Sequence, residues 1–169
     1  MYYPELSPYI YMTNARKPLV DNAPQPLNVG WIEAGYPFAQ GAVSDAFMVR
    51  LWAFCRAPVN LTRGFHECQF CSDETFAYLT VRKGDEKIGM GHAEIWVFGN
   101  DDKVYVAPTL IYHYITQHHY LPPEPFIRAV LTAPLPDTPE YDLLCSQFMW
   151  GKLLLIEKAI DRRHSQANQ

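Results

Sequence analysis

The chain has no basic run longer than Arg162-Arg163, and its 14 lysines and arginines are outnumbered by 18 aspartates and glutamates, giving a formal charge of -4. No electrostatic footprint for a phosphate backbone is therefore present, which argues against nucleic acid as a partner. No uncharged apolar run approaches the roughly 20 residues that span a bilayer, so no membrane role is expected. Met1-Tyr2-Tyr3-Pro4-Glu5 has neither a basic leader region nor an apolar one, and a cytoplasmic location follows as an expectation. Ser44, Ser72 and Ser146 lack a glycine-flanked elbow, and no glycine-rich phosphate loop precedes a helix. Hydrolase and nucleotide-binding chemistries thus find little support. Cysteine is scarce: Cys55, Cys68, Cys71 and Cys145 stand at irregular spacing, which suits reduced thiols rather than a disulfide framework.

What is present is apolar and aromatic. Of 169 residues, 49% are hydrophobic and 14% aromatic, enough for one globular domain that buries about 70% of its unfolded surface. The expected organisation is a single domain over 1-169, made of a proline-rich arm at 1-28, a body at 29-164 and a frayed tail at 165-169. Pro4, Pro8, Pro18, Pro24 and Pro26 deny the arm regular helix, and Tyr2, Tyr3, Tyr9 and Tyr11 give it rings with which to lie across the body.

In the body, a short strand is expected within Val29 to Phe38. Ser44 and Asp45 open a helix over 44-55, which Arg56-Ala57-Pro58 ends. Phe76 to Val81, Ala93 to Phe98 and Lys103 to Val106 read as strands joined by turns, an antiparallel meander. Glu94 shares a strand face with Trp96 and Phe98, so it either lies at a solvated edge, the commoner outcome, or points into a site. Helices follow over 109-118 and 124-131. Thr138-Pro139-Glu140 opens a last long one, Pro139 to about Arg162, with Arg162, Arg163 and His164 at its negative end. The fold class is α+β: a small antiparallel sheet packed by several helices, with a long C-terminal helix.

Arg63-Gly64-Phe65-His66-Glu67-Cys68-Gln69-Phe70-Cys71 is where soft ligands crowd together. Two thiols two residues apart can turn back on one ion, and His66 can add an imidazole, so zinc is the cofactor that this spacing suggests. The competing reading is a reduced pair of buried cysteines beside a solvent-facing histidine. His66, Cys68 and Cys71 make three ligands. His113, with His118 as its alternative, is the expected fourth, and His92 and Cys55 are further candidates. A fourth protein ligand would make the metal a staple. Water in that place would make Glu94 a candidate general base in a small zinc-dependent enzyme. A thioredoxin-type redox role fits less well, because a meander rather than a βαβ unit follows the cysteines.

The combination of Pro58-Val59-Asn60-Leu61-Thr62-Arg63-Gly64-Phe65-His66, Cys68 and Cys71 with Ala93-Glu94-Ile95 and Val97, Tyr105, Ala107-Pro108, Leu110-Ile111, His113-Tyr114, His118, Tyr120, Pro122-Pro123 and Phe126 resembles a widespread, poorly characterised family of small bacterial proteins, over roughly Gly30 to Leu131. Its members are similar to immunity and accessory proteins that accompany secreted toxins. The resemblance implies that His66, Cys68, Cys71, Glu94, His113 and His118 act as a set. It also points to a secreted bacterial toxin as the protein partner, while the lack of a recognisable nucleophile, phosphate loop or targeting segment favours a binding protein over an enzyme.

Overall fold

The computed structural model describes residues 1-11, 18-71 and 79-167, with side chains described as far as residue 160. Two strands carry the core: β4 over Glu94–Phe98 and β5 over Val104–Pro108, counted after β1 (Pro26–Asn28), β2 (Thr80–Lys83) and β3 (Glu86–Gly89). Every residue of β4 and β5 is buried. They pair antiparallel, with Trp96 opposite Val106 and Val97 opposite Tyr105. Such a pair needs cover on both faces, and the rest of the chain supplies it.

On one face, the helix α1 (Asp45–Arg56) lies against α3 (Glu124–Thr132), and Phe126 of α3 meets both Phe47 of α1 and Tyr105 of β5 edge-on. Ser44 caps α1 by accepting from the amide of Phe47, as its position predicts. A third helix, α2 (Ile111–His118), follows β5 almost directly. The opposite face carries Glu94, Trp96 and Phe98. Trp96 packs against Tyr9, Phe148 and Trp150 with ring centroids 5.8, 5.1 and 4.8 Å away. Each such ring removed from water stabilises the fold by about 1.5–3 kcal/mol.

The α+β class stands, and three details differ from expectation. The expected meander is split into two sheets: β2 pairs with β3 as a separate hairpin, while β4 and β5 are joined by β1, parallel to β5. Lys83-Gly84-Asp85-Glu86 turns the chain tightly back on itself, so the first strand finds its partner before β4 is reached. Of the strand expected over Phe76 to Val81, residues 76-78 lie outside the described residues. Next, the strand expected within Val29 to Phe38 lies instead at β1, inside the expected arm. Pro26 is its first residue, where a missing amide is tolerated. The arm is folded on itself, Asn28 donating to Pro8, and is stitched to the body where Tyr120 donates to Glu5 at 2.6 Å and the amide of Gly30 donates to Glu5 at 3.2 Å.

Finally, the expected long helix is two, α4 (Pro139–Cys145) and α5 (Met149–Ala167), with Thr138 capping α4 as expected. In one straight helix Phe148 and Trp150 would point about 200° apart. The break lets both reach Trp96. It also frees the carbonyl of Gln147 for the amide of Leu19. The side chains of Arg162, Arg163 and His164 and the expected frayed tail fall outside the residues whose side chains are described.

The corner between α4 and α5 depends on Gly151, where a Cβ would sit 1.9 Å from the carbonyl oxygen of Cys145. Gly151→Ala is expected to lower stability by about 3 kcal/mol, because backbone rather than a flexible side chain must move. Urea unfolding of the two proteins checks this, and a loss below about 0.5 kcal/mol would contradict the packing described.

Candidate metal centre and the adjoining cleft

The backbone that carries the two cysteines is tied down before it reaches them. Val59 and Glu94 exchange amide hydrogen bonds, Thr62 donates to the carbonyl of His92, and His66 donates to that of Gly91, so residues 59-66 run beside residues 91-94 and cover the free edge of β4. Gly91 makes the approach feasible: it holds φ +84, and a Cβ there would lie 2.3 Å from the carbonyl oxygen of His66. Beyond this anchor Phe70 inserts against Phe38, Tyr114 and His118, and Gln69 bonds Glu33 and the amide of Ala34. Cys68 and Cys71 are left facing α2.

There they meet both histidines of that helix. Cys68 Sγ is 3.2 Å from His118 Nε2, Cys71 Sγ is 3.3 Å from His113 Nε2 and 3.4 Å from His118 Nε2, and the two Nε2 atoms are 3.2 Å apart. All four donor atoms fall within 4.8 Å of one another, and the set could hold a metal ion. His118 reaches the site because α2 ends on it, the next residue, His119, turning into the left-handed region at φ 55. Burial, aided by His118, pushes His113 down to about 4, which keeps its imidazole neutral with a lone pair available. Burial also lowers His118. Burial pushes the Cys68 thiol up to about 11, and a dication placed among the donors would reverse that preference and favour thiolate.

The expected ligands are thus redistributed. Cys68, Cys71 and His113 come together, and His118, expected only as the alternative to His113, joins as a fourth donor. His66 is not among the four: with its amide held on Gly91, its ring lies against Tyr11. His92 sits under Phe65, its Nδ1 buried without a hydrogen-bond partner. Cys55 is in the core at the end of α1, where burial raises its thiol to about 12. All four cysteines are free.

Glu94 corrects the expectation of edge exposure, for it is 2% exposed. Its strand is an edge of the sheet, but residues 59-66 roof it. The Tyr9 hydroxyl donates to Oε1, while Asn60 Nδ2 and Trp96 Nε1 donate to Oε2 at 2.9 and 3.2 Å. The sequence marks Tyr9 only as a ring of the arm and Asn60 only as part of the motif before the cysteines; that both bond Glu94 is decided by the tertiary packing that brings the arm and that loop to β4. Above this carboxylate lies a cleft open to solvent, with a cavity volume of about 50 Å³ and with His66, His92 and Glu94 in its lining. His113 is absent from that lining, so Glu94 and the metal centre face different spaces.

The profile of a domain of unknown function, DUF7919, matches residues 1–131. The chain belongs to the DUF7919 family. No curated protein and no solved structure matches it. The DUF7919 match begins with the arm, which the sequence-based resemblance had left out, and includes both cysteines, His113, His118 and Glu94. It ends within α3, so α4 and α5 lie beyond it. No helix among the described residues is long and apolar enough to cross a membrane.

Burial raises the carboxyl of Glu94 above the ordinary carboxylate value of 4.5, against the lowering effect of its three donors. A raised folded pKa means that stability held at low pH is lost as pH rises from the carboxylate range through the folded value. Glu94→Gln keeps the shape and titrates nowhere, and Tyr9 can turn to accept from the new amide. The expected outcome is that wild type loses stability relative to Glu94→Gln across that window, read from urea midpoints at a series of pH values. Parallel curves would mean that Glu94 has no shifted titration.

Proposed function

We propose that this DUF7919 protein is a zinc-stapled binding protein that works by docking a protein partner, as immunity proteins do against secreted toxins. The observation that carries the reading is closure: four protein donors, two sulfurs and two imidazole nitrogens, converge on one point. A zinc ion bonded at about 2.3 Å to sulfur and about 2.0–2.1 Å to nitrogen sets tetrahedral edges of roughly 3.3–3.8 Å. Four of the six donor pairs, at 3.2 to 3.4 Å, lie close to those edges, and all four donors fall within 4.8 Å of one another. Two sulfurs with two imidazoles suit zinc better than magnesium or calcium, which take oxygen. When bound, the ion would cross-link the Cys68–Cys71 loop to α2. Four protein ligands leave no position for an activated water, which weighs against the zinc-enzyme alternative built on His66, Cys68, Cys71 and Glu94. Glu94 itself is held by Tyr9, Asn60 and Trp96.

Support for a protein partner comes from α5. Leu153, Ile156 and Ile160 recur at helical spacing and are 55%, 51% and 45% exposed, an apolar stripe of the kind that an amphipathic helix lays into a partner's groove. The free thiols fit a reducing compartment, in keeping with a cytoplasmic protein.

Elemental analysis of the purified chain should find about one zinc per molecule, and Cys68→Ser or His113→Ala should bring it near zero. Chelation should lower stability by about 3 kcal/mol, the value for a ligand at ~100 times its Kd. Absence of stoichiometric metal would end the staple reading. For the partner, co-expression should protect cells from a toxin encoded beside this protein, and the two should co-purify through an interface above about 1,000 Å². The double variant Leu153→Lys, Ile156→Lys should lose the complex without losing zinc. Protection that survives it would move the interface elsewhere, and failure to protect against any neighbouring toxin would overturn the immunity reading.

A further inference from the structure

The cleft over Glu94 is used neither by the metal centre nor by the exposed stripe of α5, and its chemistry is one-sided. Among the described residues its lining contains two carboxylates, Glu67 and Glu94, two histidines, His66 and His92, and no lysine or arginine. The nearby amine of Met1 is engaged by Glu33 at 3.0 Å. Three aromatic side chains, Tyr11, Trp31 and Tyr114, also line the space, and Tyr11 and Trp31 lie 5.3 Å apart, centroid to centroid.

Glu94 is the unusual member. Buried carboxylates are normally paired with a cation, since an isolated charge out of water is expensive. Here the partners are three neutral donors, and no described cationic group lies in ion-pair reach. Those donors also leave acceptor capacity, because a carboxylate oxygen accepts about two hydrogen bonds and Oε1 receives one from Tyr9. Among the described residues the floor of the cleft is thus a negative group held in place by neutral donors and without a cationic partner. Its walls are rings whose faces attract cations. The cavity at the floor is about 50 Å³, room for an ammonium group or a few waters, and it opens into a wider cleft toward solvent.

We propose that this cleft binds a small organic ammonium ion, its charged nitrogen donating to Glu94 at the floor and its carbon body lying among Tyr11, Trp31 and Tyr114, with Glu67 at the rim. Anionic ligands are excluded by the same carboxylates. Glu67 and Gln69, which line the cleft, flank Cys68, which faces α2. The loop fastened at the metal centre is therefore also a wall of the cleft.

Isothermal titration calorimetry of the full chain as purified tests this, with phenethylamine, agmatine and putrescine as probes. Phenethyl alcohol and phenylacetate serve as neutral and anionic controls of similar shape. At least one amine should bind with a Kd below about 1 mM, with both controls weaker by about tenfold or more. Glu94→Gln, still folded by circular dichroism and thermal melting, should weaken that amine by about tenfold or more. Glu67→Gln lies at an exposed position that leaves the core untouched, and it should weaken the amine by about threefold. The proposal is overturned if no amine binds below about 1 mM, if the alcohol or the acid binds as well as the amine, or if folded Glu94→Gln binds like wild type. Should Glu94→Gln fail to fold, unchanged affinity in both Glu67→Gln and Tyr11→Leu overturns it instead.

Discussion

The constraint on which the molecule depends is that β4 and β5 are buried along their whole length on both faces. A strand pair with no solvated side cannot stand alone, and α1 and α3 cover only one face. The other is covered by parts of the chain far apart in sequence: Tyr9 from the arm, Tyr141 from α4, and Phe148 and Trp150 from the corner into α5. This explains why a proline-rich arm of extended backbone is integral rather than appended. Extended backbone can supply β1 and still deliver Tyr9 beneath Trp96, which a helix over the same residues would not do.

The same burial produces the two chemical features. Glu94 lies on the face that the arm closes, so its carboxylate is taken out of water and must be satisfied by Tyr9, Asn60 and Trp96. Residues 59-66, which seal the edge of β4, then deliver Cys68 and Cys71 to the helix that leaves β5. The cluster of Cys68, Cys71, His113 and His118 thus brings the segment before the hairpin against the helix after the sheet. A cross-link there would restrain a loop with little regular structure, and that loop is also a wall of the cleft. The candidate metal centre and the cleft are neighbours because one strand edge organises both.

Much of the helical part was legible in the sequence. Ser44 and Thr138 are caps because a side-chain oxygen three residues before an unpaired amide can satisfy it whatever surrounds the helix, and Pro122-Pro123 breaks the chain by an equally local cause, the missing amide hydrogens and the ring clash. The strand face shared by Glu94, Trp96 and Phe98 follows from a period of two. The sheet was less legible. Which strand pairs with which depends on a tight turn at Gly84 and on an arm strand whose three residues carry no pattern. The long last helix was misread as continuous because helical periodicity does not register that Phe148 and Trp150 must both reach one ring.

The sequence by itself determined the α+β class, the helix starts and the existence of a Cys-x-x-Cys pair available to a metal, because these rest on interactions spanning a few residues. Tertiary structure decided which histidines face the thiols. His66, two residues from Cys68, is led away by its backbone bond to Gly91, whereas His113 and His118, more than 40 residues along, arrive because α2 begins where β5 ends. It likewise decided that Glu94 is buried rather than solvated, since the roof over that edge and the hydroxyl beneath it come from segments whose meeting depends on long-range packing alone.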